Sequence, residues 1–202
     1  METGMTELIR LDRDGPVGIL RFLQPAKRNP YSIGFVEELV ALLREAERDD
    51  TIRAVVMTGG DHFSSGGDLV GFQAEIAKGA RATSEMVDRV HDGGRAAYLF
   101  RKPLISAVCG VAFGAGLSLA LSADIVVAAE DARLCEVFAR VGGCPDTGSS
   151  WLLQQRERRG MRVIEKWADP LDHIASALAQ RRAVGIIADQ NAGDRGLFVP
   201  FF

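Results

Sequence analysis

The apolar positions at the start of the chain predict a β-hairpin and then a helix. Two apolar runs, Ile9–Leu11 and Val17–Leu23, flank the dipeptide Asp14-Gly15, which is a frequent two-residue hairpin turn. Apolar side chains then recur at intervals of three and four residues over residues 35–46, as on the buried face of a helix. We therefore expect two strands and one amphipathic helix in the first quarter of the chain.

The middle of the chain alternates apolar strands with helices. Apolar runs at Arg53–Thr58, Leu104–Val108 and Ile125–Ala128 are typical of strands that are buried on both faces. One helix is predicted over residues 115–123, and another over residues 74–94, where a mobile loop interrupts it near residues 78–83. Alternation of this kind is typical of the α/β class.

One uncharged stretch, Leu104–Ala123, imitates a membrane-spanning helix in its length. It is rich in Gly, Ala and Ser, and the triplet Gly114-Ala115-Gly116 interrupts it. Small and polar residues lower the hydropathy of such a segment. We therefore interpret it as a buried strand, a tight turn and a buried helix.

The composition is that of an ordinary globular domain. Of 202 residues, 47% are hydrophobic and 25% are charged, and the net charge of -3 favours neither nucleic acid nor an acidic membrane surface as a partner. The N-terminus lacks the pattern of a secretory signal, and the three cysteines lack the spacing of a disulfide framework. We therefore expect a cytoplasmic protein with reduced thiols. The three histidines form no metal-ligand pattern, so we expect no metal site.

Two segments share one design, in which a strand leads through a glycine-rich turn into a helix. The first turn is Phe63–Leu69 (FSSGGDL), and the second is Phe113–Gly116 (FGAG). Glycine lets the backbone approach a ligand closely, and a helix N-terminus presents free N–H groups. Two such groups that converge on one oxygen form an oxyanion hole, in which each donor contributes roughly 3 kcal/mol of transition-state stabilisation. The alternative, of equal weight, is that these glycines only permit close packing of strand and helix.

These segments resemble the crotonase family of enoyl-CoA hydratases and isomerases. The stretch Lys102–Asp124 (KPLISAVCGVAFGAGLSLALSAD) resembles the family's second glycine motif, and Ala128–Arg133 and Phe138–Ser149 follow in the family's order and spacing. The resemblance covers roughly Leu8–Leu153 and is greatest to the branch of 1,2-epoxyphenylacetyl-CoA and dienoyl-CoA isomerases. It implies the family's fold, an α/β superhelix of ββα units, here incomplete at its C-terminal end.

The resemblance implies a site for an acyl-CoA thioester, with coenzyme A arriving as part of the substrate and no separate cofactor. Gly67 and Ala115 match the two residues whose backbone N–H groups form the oxyanion hole. Lys27 and Arg28 match the loop that contacts the CoA nucleotide, although both residues also suit an ordinary exposed loop. The other substrate-binding positions that the motifs imply are Ser65, Phe113 and Phe138.

The acids of the site depart from the hydratase pattern. The two glutamates that hold the water in hydratases would fall at Ser118 and Phe138, and neither residue is an acid. Asp146 matches the carboxylate of the isomerase branch, so the resemblance implies proton transfer through an enolate rather than hydration. In that scheme Ser118 has no catalytic task, and an apolar wall of Phe138 and Val141 makes the carboxylate a better proton acceptor. From the residues alone, residues 145–148 are also a good turn sequence, in which Asp146 would be structural.

The chain after Leu153 is predicted to differ from the domain before it. Residues 1–153 form the expected crotonase-like acyl-CoA-binding domain, and residues 154–202 form an atypical tail whose basic run, residues 154–162, has no evident complementary surface. Residues 160–166 and 188–202 resemble part of the late lipid A acyltransferases, although the catalytic H-x-x-x-x-D of those enzymes is missing. The tail is therefore either a foreign fragment or a divergent helical end.

Three functions stay open at this point. The chain is an acyl-CoA isomerase that uses Asp146, an inactive or vestigial module that binds CoA thioesters, or a hydratase, for which Glu136 is the nearest acid. The family assembles as homotrimers, and the altered C-terminus puts that assembly in question. We expect neither nucleic acid nor a membrane as partner.

Overall fold

The structure is a computed structural model that describes residues 7–158 and 185–187. Its strands are β1 (Ile9–Asp14), β2 (Val17–Phe22), β3 (Ala54–Thr58), β4 (Leu104–Val108), β5 (Val111–Phe113), β6 (Ile125–Ala128), β7 (Arg133–Glu136) and β8 (Gly185–Ile187). Its helices are α1 (Ile33–Arg48), α2 (Leu69–Ile76), α3 (Ala80–Tyr98), α4 (Ala115–Ser122) and α5 (Ser149–Arg158).

The strands form two sheets, and each successive turn of the chain adds strands to both. The first sheet has the order β1-β2-β3-β4-β6, and the second has the order β5-β7-β8. Strands β1 and β2 pair as an antiparallel hairpin, and the other described pairs are parallel. One turn of the chain adds a strand to each sheet and then a helix, as β4, β5 and α4 do in succession. This arrangement is the superhelix of ββα units that the sequence implied.

Alternating burial along the strands places the main core between the first sheet and the helices. In β2, β3 and β4 every second side chain is buried, as expected where one face of a strand meets helices. Leu20, Met57 and Leu104 belong with Leu39 of α1 to one buried cluster. The apolar runs of the sequence therefore serve one shared core.

Most of the predicted elements are confirmed. The hairpin, α1, β3, β4, α4 and β6 occupy the predicted stretches, and their ends differ from the prediction by a few residues. Gly15 in the hairpin turn has a φ of +54°, a left-handed conformation that favours glycine. The apolar periodicity and the Asp-Gly signal were therefore sufficient for these elements.

The segment over residues 74–94 differs from the prediction. It contains the end of α2 and most of α3, so the predicted mobile loop shrinks to residues 77–79. Gly79 makes the break with a φ of +106°, and the hydroxyl of Thr83 already donates to the Gly79 carbonyl oxygen at 3.0 Å. Arg81 and Glu85 form an ion pair at 2.9 Å, one helical turn apart. Arg81 and Glu85 therefore lie on an exposed face of a helix, where a loop was predicted around residues 78–83.

The uncharged stretch over residues 104–123 is confirmed as strand, turn and helix. It forms β4, β5 and α4, and every residue of α4 is buried. Among the described residues, no helix is both long and apolar enough to cross a membrane. The apolar residues of this stretch therefore lie largely in the interior of the fold.

The beginning of the predicted tail has a partner in the first domain. Arg156, within the basic run, donates hydrogen bonds to the carbonyl oxygens of Leu121, Ala123 and Asp124 at the end of α4. The expectation that this run has no complementary surface is wrong at Arg156, because the free carbonyl groups at a helix C-terminus attract a guanidinium. Strand β8 also pairs with β7. The segments that resemble acyltransferases, residues 160–166 and 188–202, lie outside the described residues.

Two adjacent glycines of α3 are expected to respond oppositely to replacement by alanine. A methyl group on Gly93 would lie 2.2 Å from the hydroxyl oxygen of the buried Tyr31, whereas one on Gly94 meets nothing closer than 3.9 Å. We expect Gly93→Ala to lower the free energy of unfolding by about 1–3 kcal/mol through overpacking. Gly94→Ala should raise it by up to about 1 kcal/mol, because alanine favours the helix. Urea unfolding of both variants measures this, and equal effects would contradict the described packing.

Candidate active site

The two glycine-rich turns contact each other through their backbones. The N–H of Ser64 donates to the Val111 carbonyl oxygen, and the N–H of Phe113 donates to the Ser64 carbonyl oxygen, both at 3.0 Å. A methyl group on Gly116 would lie 2.6 Å from Cβ of Ser64, and one on Gly66 would lie 2.6 Å from the Phe113 carbonyl oxygen. Both glycines are therefore needed for the close approach, as the packing alternative required.

Most N–H groups of the first turn already have an acceptor. Ser65 donates to the Arg28 carbonyl oxygen at 2.7 Å, Gly66 donates to Oγ of Ser64 at 3.2 Å, and Asp68 donates to the Tyr31 carbonyl oxygen at 3.2 Å. Gly67 pairs with Tyr31 in a parallel bridge, where its own N–H faces away from that partner. Among the described residues, the Gly67 N–H has no acceptor.

The second turn leaves a donor at the start of α4. The N–H of Gly114 donates to the Cys135 carbonyl oxygen at 2.9 Å, and Gly114 adopts a φ of +48°. Within the described part of the chain, the next N–H, that of Ala115, has no acceptor, as expected in the first turn of a helix. The position of a methyl group on Gly66 is 3.8 Å from the Ala115 nitrogen, so the two turns meet beside this donor.

A cavity of about 440 Å³ opens next to Ala115. It lies between α3, α4, residues 146–148 and α5, and its wall is largely apolar. The rings of Tyr98 and Trp151 meet edge to face at 5.3 Å and close one side. Ala115 is part of the wall, whereas Gly67 is absent from it, although its bridge partner Tyr31 is part of the wall. The size and lining suit a small apolar group.

Asp146 lies on the same cavity as Ala115. Its side chain is 44% exposed, and its Oδ2 is 3.9 Å from Nε2 of His91, which also lines the cavity. Among the described residues, the Asp146 carboxylate accepts no hydrogen bond from the start of α5. The structure thus places Asp146 beside the cavity and gives it no capping role.

Ser118 connects the Asp146 loop to the start of α4. The hydroxyl of Thr147 donates to Oγ of Ser118 at 2.6 Å, and the Ser118 hydroxyl donates to the Gly114 carbonyl oxygen at 3.3 Å. Sequence reasoning gave Ser118 no catalytic task, and the structure gives it a structural one. It ties the residue after Asp146 to the residue before Ala115.

The other predicted site residues surround the turns and do not line the cavity. Lys27 and Arg28 are exposed, and the Arg28 carbonyl oxygen holds their loop against Ser65. The ring of Phe138 lies 3.7 Å from the position of a methyl group on Gly114. Ser65, Phe113 and Phe138 are absent from the cavity wall. Val141 is half exposed and likewise absent from the wall, so the expected apolar wall around Asp146 is formed by other residues.

Several residues of the cavity wall were not predicted from the sequence. They are Tyr31, His91, Tyr98, Thr147 and Trp151. Burial raises the pKa of the Tyr31 hydroxyl far above its usual range, and that hydroxyl donates to the Val90 carbonyl oxygen at 3.2 Å. Tyr31 is therefore a neutral wall residue and not an acid or base. Thr147 lies in the matched stretch Phe138–Ser149, but the resemblance gave it no role, and no short motif marks the other four residues, which come from elements far apart in the sequence.

Known proteins of similar sequence and structure cover most of the chain. The sequence model described as enoyl-CoA hydratase/isomerase matches residues 12–185. The chain is 36% identical over 151 residues to a 1,2-epoxyphenylacetyl-CoA isomerase of Escherichia coli K12, a match that covers 74% of this chain and 58% of that protein. It is 35% identical over 148 residues to a probable enoyl-CoA hydratase of Mycobacterium tuberculosis, with coverage of 73% and 57%.

A solved enoyl-CoA hydratase from Polaromonas sp. JS666 superposes with a TM-score of 0.70 at 29% identity, over 86% of this chain and 76% of that one. The chain belongs to the enoyl-CoA hydratase/isomerase family. It spans little more than half the length of the two curated relatives. The family match also continues past Leu153 into the predicted tail.

The tether through Ser118 predicts a local effect of its removal. Ser118→Ala deletes the acceptor of the Thr147 hydroxyl, so amide hydrogen exchange of residues 146–148 should become several-fold faster, with a loss of about 1 kcal/mol in the free energy of unfolding. Ser122→Ala is the matched control, because within the described part of the chain its hydroxyl bonds only inside α4, to the Ser118 carbonyl oxygen. Equal exchange in both variants would show that Ser118 does not hold this loop.

Proposed function

We propose that this chain is an acyl-CoA isomerase, which transfers a proton through a thioester enolate held by the backbone N–H groups of Gly67 and Ala115. The observation that carries the proposal is the joint position of Ala115 and Asp146 on one cavity. An N–H donor for the thioester oxygen and a carboxylate for the neighbouring carbon are the two groups that enolisation needs.

The chemistry follows from the charges that develop during the reaction. When a proton leaves the carbon next to the thioester, negative charge moves to the thioester oxygen. Fixed N–H dipoles stabilise that charge because they are already oriented and need no reorganisation. Asp146 takes the proton from one carbon and returns it to another, which moves a double bond and leaves the carboxylate regenerated. The names of the relatives include both isomerases and hydratases, and the 1,2-epoxyphenylacetyl-CoA isomerase supports this assignment.

Hydration is the second candidate, and the acids of the site disfavour it. A hydratase needs a carboxylate that activates a water molecule. Glu136, the acid that sequence reasoning kept open, is only 1% exposed in β7 and is absent from the cavity wall. Ser118 and Phe138 occupy the positions that the resemblance gives to the hydratase glutamates. Asp146 is therefore the acid that faces the cavity.

Asp146→Asn should abolish isomerisation while thioester binding stays nearly unchanged. The amide keeps the shape of the side chain and cannot accept a proton, so we expect a fall in kcat of roughly 100- to 10,000-fold. Double-bond movement and water addition are followed on 2-enoyl-CoA and 3-enoyl-CoA thioesters, and calorimetry measures binding of a saturated acyl-CoA. Asp131→Asn is the control, since it removes an exposed carboxylate of the β6–β7 turn.

A wild-type chain that binds thioesters and moves no double bond would leave the inactive binding module as the function. Water addition without double-bond movement would favour the hydratase. Full isomerase activity in Asp146→Asn would show that another group is the base.

The loop of Lys27 and Arg28 is expected to recognise the CoA nucleotide. Both side chains are exposed beside the first glycine-rich turn, where they are positioned to pair with phosphate groups. Replacing both with alanine should raise KM for an acyl-CoA roughly 10-fold, since two exposed ion pairs contribute about 1 kcal/mol or slightly more together. KM for the matching N-acetylcysteamine thioester, which lacks the nucleotide, should stay unchanged. Arg21→Ala is the control, because Arg21 pairs with Asp12 on β1.

A further inference from the structure

His91 presents a solvent-shielded nitrogen to the candidate base. Its Nε2 is buried and, among the described residues, takes part in no hydrogen bond. The nearest acid is Asp146, whose Oδ2 is 3.9 Å away. A buried nitrogen without a partner costs free energy, so a partner is expected in some state of the protein. The gap exceeds hydrogen-bond length by little more than half an ångström, which a rotation of either side chain covers.

On the described cavity wall, Asp146 is the carboxylate with which His91 can form a hydrogen bond. The titratable or charged groups on the cavity wall are Tyr31, His91, Arg95, Tyr98 and Asp146. Helix α4 contributes hydroxyl groups to the described wall, and α5 contributes an indole and a leucine. Tyr31 is held neutral by its burial, and Arg95 and Tyr98 lie on the same helix as His91 and offer it no carboxylate. On the described wall, Asp146 is therefore the carboxylate that another element brings to His91.

We propose that His91 is a positioning and proton-relay residue for Asp146. The inference rests on the proposed function. After Asp146 has taken a proton from the acyl carbon, the carboxylic acid passes that proton to Nε2 of His91, in the tautomer that carries its own proton on Nδ1. The products of this step are the carboxylate and an imidazolium ion. The proton returns along the same route, or the partly exposed imidazolium ring rotates, which brings Nε2 to solvent, where the proton exchanges.

The relay changes two properties of the enzyme. A proton that visits His91 exchanges with solvent before it returns to the substrate, so isomerisation in D2O introduces deuterium into the product. The imidazolium ion that the relay forms pairs with the carboxylate and competes with the substrate carbon, so a protonated His91 lowers kcat/KM.

Two replacements separate positioning from relay. His91→Gln keeps a hydrogen-bond donor that can orient Asp146, but it cannot carry a proton. His91→Phe keeps the bulk and removes both properties. We expect His91→Gln to retain most of kcat while deuterium incorporation falls several-fold. We expect His91→Phe to lower kcat as well, with KM little changed. Asp92→Asn is the control, because it removes a charge at the next position of α3, which lines a different groove.

A second measurement needs no turnover. Unfolding of the wild type, His91→Gln, Asp146→Asn and the double variant forms a cycle that isolates the coupling of the pair. We expect the coupling to change the unfolding constant roughly two- to five-fold, as for other partly exposed ion pairs. No coupling would overturn the pairing, whether or not the chain isomerises thioesters.

The two proposals fail in different ways. Normal isomerisation by the wild type, with deuterium incorporation that His91→Gln leaves unchanged, would overturn the relay alone. Absence of both isomerisation and deuterium exchange in the wild type would overturn the proposed function and the relay with it. In that case a measured coupling would still show that the two side chains meet.

Discussion

Two hydrogen bonds between Ser64 and the strand Val111–Phe113 hold the glycine-rich turns against each other, and the candidate site depends on this contact. The bonds bring backbone to backbone, so a side chain at Gly66 or Gly116 has no room. Overpacking at such a contact shifts the backbone and costs about 1–3 kcal/mol. Glycine is therefore required twice, for close approach and for the left-handed φ of +90° at Gly66. The packing and catalytic explanations of these glycines are compatible, because the same contact that excludes side chains presents the N–H groups.

Two side chains, those of Asn29 and Ser64, hold this contact in place through hydrogen bonds to backbone groups. Asn29 is buried with a φ of +50°, and its amide donates to the carbonyl oxygens of Gly59 and His62 at 3.0 and 2.7 Å. The Ser64 hydroxyl donates to the Asn29 carbonyl oxygen at 2.8 Å and accepts from the Gly66 N–H. These bonds satisfy groups that would otherwise be buried without partners. Among the described residues, the N–H groups of Gly67 and Ala115 have no acceptor, as the proposed oxyanion hole requires.

The sequence predicted those parts of the fold that depend on local pattern. The runs at Arg53–Thr58 and Leu104–Val108 became parallel strands, as their apolar residues predicted, although full burial alternates along them and is confined to one face. The motifs also identified the turns, since glycine at fixed positions is a local requirement. The cavity wall could not be predicted in this way. Tyr98 and Trp151 meet only because α3 and α5 both pack against α4. The complementary surface of Arg156 was likewise not evident, because its partners are carbonyl groups that no sequence pattern displays.

Backbone donors do not depend on side-chain identity, so the reaction of such a site is decided by the third element that faces it. Here that element is the loop of Asp146 and Thr147, and Ser118 ties it to α4 through the Thr147 hydroxyl. The resemblance assigns the position of Ser118 to a catalytic acid of the hydratases. A serine there removes the acid and also supplies the bond that keeps the loop beside Ala115. Under the proposed function, a single side chain therefore links the absence of one carboxylate to the placement of another, and proton transfer replaces water activation while the backbone donors stay the same.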